Sequence, residues 1–295
     1  MEVLQFVPNV VTAVILGIMQ DAGLPHIGCI CTRCQRGWDD PTQIEYAACL
    51  GIVDTRFDRT AVWLIDATPD IKFQLNLLAG ALGSHAVRPN RLKRPEGIFL
   101  THAHMGHIGG LPQLGPEAMA VDQMPLCASP ELCHLLRETH LWTPMLQHLN
   151  IMALDKYHSL QLAPNLEITA VPVPHRDEWQ VGTYAYKITG PQQSLLYLPD
   201  IDSWEEWEEA EETLTAVDIA LVDASFYSPN ELGGRAPVAH PLVTDTIARF
   251  AHLPTQIILT HINHTNPILD KGGVEETAVL QSGFQIAYTG QQILL

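Results

Sequence analysis

Apolar positions in the first half of the chain fall into short runs rather than long helical stripes. Val11–Leu16, Ala61–Ile65 and Gly97–Leu100 are built of aliphatic side chains, many of them β-branched. Runs of this length suit strands buried on both faces. The second run stops on Asp66 and the third on Thr101-His102. Polar residues at the ends of buried strands suit a site at the edge of a sheet.

Two segments carry helix-start chemistry. Ser129-Pro130-Glu131 sets an N-cap ahead of a proline in the first turn and predicts a helix to about His140. Ser203-Trp204-Glu205-Glu206 has capping-box spacing and predicts an acidic helix to about Leu214, its glutamates solvated and Trp204 and Trp207 packed inward. Further strands are expected near Leu166–Val173, Gly182–Ile188, Ser194–Leu198, Ile219–Val222 and Gln256–Leu259, with a helix near Pro241–Ala251. The courses of 35–60 and 112–150 do not follow from the pattern. Two halves that mix strands and helices in this way fit a four-layer αβ/βα sandwich better than one doubly wound sheet. Residues 1–295 read as a single domain.

Composition narrows the partners. Sixteen Lys and Arg against 33 Asp and Glu leave a formal charge of −17, which opposes nucleic-acid phosphates and anionic membranes. The one basic cluster, Arg88, Arg91, Lys93 and Arg94, reads as a solvated loop. The apolar run Val10–Ile18 is too short to span a bilayer and no charged n-region precedes it, so a cytoplasmic protein is expected. A small-molecule substrate is the expected partner, with neither nucleic acid nor membrane, and self-association as a homodimer is left open.

The chemistry gathers at His102-x-His104-x-x-His107. Neutral imidazole is a good ligand for zinc and iron, and a strand-to-helix turn can aim close histidines at one point. Other expected strands end on His175, Asp200 and His261, which would join that rim if the strands share an orientation. The order Asp66, His102-x-His104-x-x-His107, His175, Asp200, His261 resembles the metallo-β-lactamase superfamily over nearly the whole chain. The segments Leu16–Cys31 and His261-Ile262-Asn263-His264-Thr265-Asn266-Pro267 are similar to the branch that holds a pyrroloquinoline quinone biosynthesis protein and the cyclic phosphodiesterase of the phosphonate pathway.

The resemblance implies that His102, His104 and His175 hold a first metal, that Asp200 bridges, and that His107 and His261 face a second position. Asp66 would orient a ligand histidine. It also implies a separate structural zinc on Cys29, Cys31, Cys34 and His264, a closed Cys3His set; three cysteines in six residues fit a shared ion better than disulfides in a reducing compartment. Cys49, Cys127 and Cys133 read as core. His240, in the loop Ala236-Pro237-Val238-Ala239-His240-Pro241, resembles a substrate-side histidine able to bind a phosphoryl oxygen or protonate a leaving group. Arg176 and Arg235 could pair with an anionic substrate or form surface salt bridges, and Asp223 adds a carboxylate at a strand end.

The sequence departs from the superfamily motif His-x-His-x-Asp-His at Gly106, where the aspartate would bind the second metal. Glycine has no donor atom. Three outcomes stay open: a single ion, a weaker second ion, or a second ion completed by another carboxylate such as Asp177 or Asp202. The active-site metal is expected to be Zn, Mn or Fe. The leading expectation is a hydrolase acting on a phosphodiester or related ester through a metal-bound hydroxide, with Asp66, Asp200 and His240 as catalytic groups. The alternatives are an iron-dependent oxidoreductase of the quinone-cofactor biosynthesis type, and a binding protein with a degenerate second site.

Overall fold

The computed structural model describes residues 3–235, 237 and 239–295. Six strands build most of a first sheet: β1 (Val11–Gly17), β2 (Cys49–Asp54), β3 (Ala61–Ile65), β4 (Gly97–Phe99), β5 (Met124–Ala128) and β6 (Leu149–Ala153). Seven build the second: β7 (Ser159–Ala163), β8 (Leu166–Val173), β9 (Thr183–Thr189), β10 (Ser194–Leu198), β11 (Ile219–Asp223), β12 (Gln256–Thr260) and β13 (Gln285–Ile286). The last strand, β14 (Gln292–Leu294), returns to pair with β1.

The two sheets run in the orders β14-β1-β2-β3-β4-β5-β6 and β13-β12-β11-β10-β9-β8-β7. In each, strands early in its half of the chain pair antiparallel and later ones parallel: β1 to β3 then β3 to β6, and β7 to β10 then β10 to β13. Parallel strands carry their C-terminal ends to one edge, where α/β proteins place their ligands.

Period-two alternation explains the continuous apolar runs. On β1, Ala13 and Ile15 enter the core between the sheets, while Val14 and Leu16 enter a second core under the outer helices. On β3, Trp63 and Ile65 face the first core and Val62 and Leu64 the second. Both faces of the sheet are therefore covered, which a run without polar interruptions demands. Helices Ile71–Leu77 and Pro130–Glu138 close the outer face of the first sheet through Ile71, Leu75, Leu132 and Leu136. Helices Ala210–Thr215 and Val243–Phe250 cover the second through Leu214, Val243 and Phe250. The result is the expected four-layer sandwich.

The acidic helix expected from Ser203 to Leu214 is not formed over its first part. Helix begins only at Ala210, and Ser203 Oγ instead accepts from Glu205 N at 3.1 Å, closing a short turn. Glu205, Glu208, Glu209 and Glu212 would stack like charges at i, i+3 and i, i+4 along a helix, which destabilises it. Trp204 and Trp207 are nevertheless buried, their rings stacked at 6.3 Å. No helix among the described residues is long and apolar enough to cross a membrane.

Candidate metal centre

Strand ends deliver the polar residues. Asp66 follows β3, and His102 and His104 follow β4 in the turn that enters the short helix Met105–Ile108, which carries His107. His175 lies just beyond β8, Asp200 just beyond β10, Asp223 closes β11, and His261 follows β12. Among the described residues, four of the ten non-glycine residues with positive φ are Asp21, Asp66, His240 and His261. Such backbone costs about 1–3 kcal/mol each and concentrates where a side chain must be aimed.

The donors form two groups with Asp200 between them. In the first, His102 Nε2 lies 2.9 Å and His175 Nε2 3.2 Å from His104 Nδ1. In the second, His107 Nε2 and His261 Nε2 lie 3.0 and 3.3 Å from Asp200 Oδ2. The other oxygen, Asp200 Oδ1, is 3.7 Å from His175 Nε2. Asp21 joins the second group, its carboxylate and the nitrogens of His107 and His261 all within 4.8 Å of one another.

These residues fit a metal. Donors bound at 2.0–2.1 Å to one tetrahedral ion sit about 3.3 Å apart, close to the separations within the first group. In the second, His107 Nε2, His261 Nε2 and Asp200 Oδ2 are buried without a hydrogen-bond partner. Leaving buried polar atoms unpaired costs about 1–3 kcal/mol each, and a cation at their meeting point would satisfy all three.

The far side of most imidazoles is held by oxygen, an arrangement that fixes tautomer and ring orientation in metal sites. His107 Nδ1 donates to Asp66 Oδ2 at 2.7 Å, and Asp66 is itself fixed by Thr101 N at 2.8 Å. His104 Nε2 meets Glu178 Oε2 at 2.9 Å, and His175 Nδ1 lies 2.8 Å from Asp202 Oδ1. His102 Nδ1 meets Thr101 Oγ1 at 2.9 Å, and His261 Nδ1 meets Ser225 Oγ at 3.2 Å. Asp202 therefore stands behind His175 rather than in the second group. Asp177 is turned away too, its carboxylate accepting from Trp179 N at 3.0 Å and from Gly182 N. Neither completes a second position as the sequence had suggested.

Charge follows this packing. Burial, then the neighbouring His107, push the His102 pKa well below its ordinary value, leaving a neutral imidazole with a free lone pair. For His107, burial opposes the charge, but the carboxylates of Asp66 and Asp200 outweigh it and raise the pKa well above normal. Asp200 is likewise opposed by burial yet held well below the usual range by His261, His107 and His102.

His240 sits beside both groups without entering the first. Its Nδ1 lies 2.6 Å from Asp223 Oδ2. Burial lowers its pKa, but Asp223 dominates and brings it to about 9, while burial of Asp223 is overcome mainly by His240, leaving that carboxyl at about 2. Gln20, Arg176, Phe226, Leu232, Arg235 and His240 line a pocket of about 310 Å³. Both arginines thus share a pocket with His240, whose Nδ1 lies 3.9 Å from Asp200 Oδ1. Ala236 and Val238, in the loop leading to His240, lie outside the described residues. The basic residues Arg88, Arg91 and Arg94 line a different cleft of about 420 Å³ together with His85 and with none of the metal-centre histidines.

Cys29, Cys31, Cys34 and His264 also come together, with Cys34 Sγ and Cys31 Sγ 3.6 and 3.9 Å from His264 Nδ1. Cys31 stands at the N-cap of helix Thr32–Asp39, where the helix dipole favours a thiolate. The Cys34 thiol is pushed up to about 12, chiefly by burial. A divalent cation would offset the mutual repulsion of three clustered thiolates, of which Cys34 is buried. Cys49, Cys127 and Cys133 are buried apart from this cluster.

Asp21 and Glu178 were missed in the sequence. Glu178 had a signal, three residues beyond His175. Asp21 lay within a segment that carried the resemblance, but no local spacing ties it to His107.

A sandwich of two mixed sheets with paired histidine groups at the strand ends defines the metallo-β-lactamase class of fold, built around a metal centre. The chain belongs to the family described as Beta-lactamase superfamily domain, which matches residues 62–291. It is similar to Coenzyme PQQ synthesis protein B of Nitrosococcus oceani, at 26% identity over 95% of this chain and 99% of that protein. The protein of the same name from Klebsiella pneumoniae is also 26% identical, over 95% and 97%. Among solved structures, Zn(2+)-bound PqqB from Methylobacterium extorquens superposes with a TM-score of 0.80, at 20% identity over 96% of this chain and 100% of that one. A diphosphatase of the PhnP family follows at 0.72, with 23% identity and 97% coverage of both.

Proposed function

We propose that this protein is a metal-dependent hydrolase of a small anionic phosphodiester or related ester. The observation that carries the reading is the juxtaposition of two imidazole groups around Asp200 with a pocket lined by Arg176, Arg235 and His240. His102, His104 and His175 would hold one ion, with Asp200 reaching from it toward His107 and His261. A divalent ion there supplies Lewis acidity and lowers the pKa of a coordinated water toward about 7. Arg176 and Arg235 bind and orient the anion. His240, anchored through Nδ1 by Asp223, would exchange the contact of its Nε2 with Gln20 Nε2, 3.3 Å away, for proton delivery to the departing oxygen. Asp66, Glu178 and Asp202 hold the imidazoles in their tautomers. Cys29, Cys31, Cys34 and His264 would hold a structural zinc.

The test is turnover of a panel of phosphodiesters, carboxylic esters and lactams by protein loaded in turn with zinc, manganese and iron(II). Hydrolysis of at least one phosphodiester, lost in His102→Ala, is expected. Rates indistinguishable between the two proteins across the panel would overturn the proposal.

The relatives named for coenzyme PQQ synthesis, matched over 95% of the chain, favour a second reading: an iron-dependent oxidoreductase acting on a quinone precursor. Oxygen consumption with a reduced quinone-like substrate by the iron-loaded protein, and absence of hydrolysis, would decide for it. A mere binding protein with a decayed centre is disfavoured by the carboxylate of Asp21, which joins the His107 and His261 nitrogens and fills the space a side chain at 106 would need.

A further inference from the structure

Gly106 occupies the place where the superfamily motif would put a metal-binding aspartate, and the space around it is taken. A Cβ at residue 106 would collide with Asp21 Oδ1 and lie 2.6 Å from Asp21 Cα. No side chain fits at 106 while Asp21 stays where it is. The Asp21 carboxylate lies in one group with the His107 and His261 nitrogens, and the Nε2 atoms of both histidines are buried without a partner.

Asp21 is held there by the backbone. Met19 bridges Ile262, the residue after His261, and Gln20 N donates to Ile262 O at 3.0 Å. Ile262 N returns a bond to Ile18 O at 2.7 Å, and Gly23 N closes the turn onto Gln20 O at 3.2 Å. Asn263 Nδ2 donates to Gln20 Oε1 at 2.6 Å. The loop that carries Asp21 and the strand end that carries His261 are thus clamped together.

We infer that Asp21 supplies from the amino-terminal loop the carboxylate that residue 106 lacks, so that Asp21, His107, His261 and Asp200 form a second divalent-cation position. The exchange keeps the donor count and negative charge of the site while moving one ligand to a distant part of the chain. Gly106 is then a requirement of the site rather than a sign of its decay. This inference rests on the metal centre of the proposed function but not on the reaction assigned to it.

The test counts ions. Purified protein is stripped, reloaded with Mn(II) at the active site with zinc retained at the cysteines, and assayed by elemental analysis and electron paramagnetic resonance. Two manganese per chain are expected, with the exchange-coupled signal of ions about 3.5–4 Å apart. Asp21→Asn should bind one manganese, lose the coupled signal and weaken the second ion by more than about 100-fold, beyond the usual effect of an outer-sphere change. Because Asp21 is exposed, this variant should melt within a few degrees of the parent, as a thermal scan checks. Two coupled manganese in Asp21→Asn, or only one in the parent protein, would overturn the inference. If the ion counts behave as expected and no ester is hydrolysed, the proposed reaction fails while the ligand assignment stands.

Discussion

Asp223 Oδ2 approaches His240 Nδ1 at 2.6 Å, both side chains buried, and the other ring nitrogen, Nε2, meets Gln20 Nε2 at 3.3 Å where both residues line the pocket. A carboxylate tether of this kind fixes the tautomer and orientation of the ring, and the proposed role of His240 is to hand over a proton. Replacement His240→Gln should lower kcat by about 10²–10⁴-fold for a phosphodiester with an alkoxide leaving group. A nitrophenolate leaves without a proton, so its hydrolysis should fall far less. Steady-state rates across a leaving-group series check this, and an equal loss for all members would remove the proton-donor role.

Asp66 binds His107 Nδ1 and is bound in turn by Thr101 N and Oγ1. Asp66→Asn keeps the shape but loses the charge that fixes the His107 tautomer. Affinity at the second position should drop about 10–100-fold, with the first position nearly unchanged. Asp202→Asn, which acts behind His175, should do the reverse. Competitive titration with a chromophoric chelator separates the two, and identical profiles would contradict the division into two groups.

This division shows what a sequence can and cannot display. His102, His175, Asp200 and His261 were legible because buried apolar runs give way to them, and His104 and His107 because they cluster with His102 within six residues. Asp21 was not, since its place depends on pairing between Met19 and Ile262, a contact between opposite ends of the chain. Strands β2 and β5 were hidden for another reason. Gly51 interrupts the first, where a Cβ would press on Val14 Cγ1 at 2.9 Å, and Pro125 interrupts the second. Both residues ordinarily argue against a strand. At 203–209 the polar spacing of a capping box was present, but glutamate repulsion and a Ser203 turn prevailed over it.

What did hold in that segment is its packing, and it can be measured. Trp204 is 1% exposed, donates Nε1 to Thr246 Oγ1 at 2.8 Å and meets Phe250 edge-on at 4.9 Å. Trp204→Phe would keep much of the apolar volume, whereas Trp204→Ala should cost about 3–5 kcal/mol. Thr246→Val should cost roughly 1 kcal/mol or somewhat more, since it leaves the indole N–H unpaired. Denaturant melts rank the three, and a Trp204→Ala loss under 1 kcal/mol would mean that the turn repacks.

The cysteine cluster predicts a second kind of metal dependence. Cys34 is buried and its thiol faces His264, so Cys34→Ser should release one zinc without altering the histidine donors. If the ion contributes about 2 kcal/mol to ordering the segment, the midpoint of thermal unfolding should fall by roughly 4–8 °C. Arg33, bound to Asp270 at 2.8 Å, would retain part of the docking. Limited proteolysis should open the chain within residues 26–40 first. Loss of active-site metal in equal measure would show that the two centres are not independent.

Arg176 and Arg235 share the pocket with His240, both exposed and both absent from the ion pairs among the described residues. In a chain of net charge −17, an anion approaching the site meets an unfavourable field except at such a local pair of cations. Arg176→Ala and Arg235→Ala should therefore raise KM for an anionic phosphodiester about tenfold each while kcat changes little, because binding in the ground state and transition state is lost together. Added salt should raise KM of the parent protein and narrow the gap to the variants. A neutral carboxylic ester offers no charge to these arginines, so its KM should stay within about twofold in the variants. Equal KM changes for charged and neutral substrates would assign the arginines to the architecture of the pocket instead of to recognition of the anion.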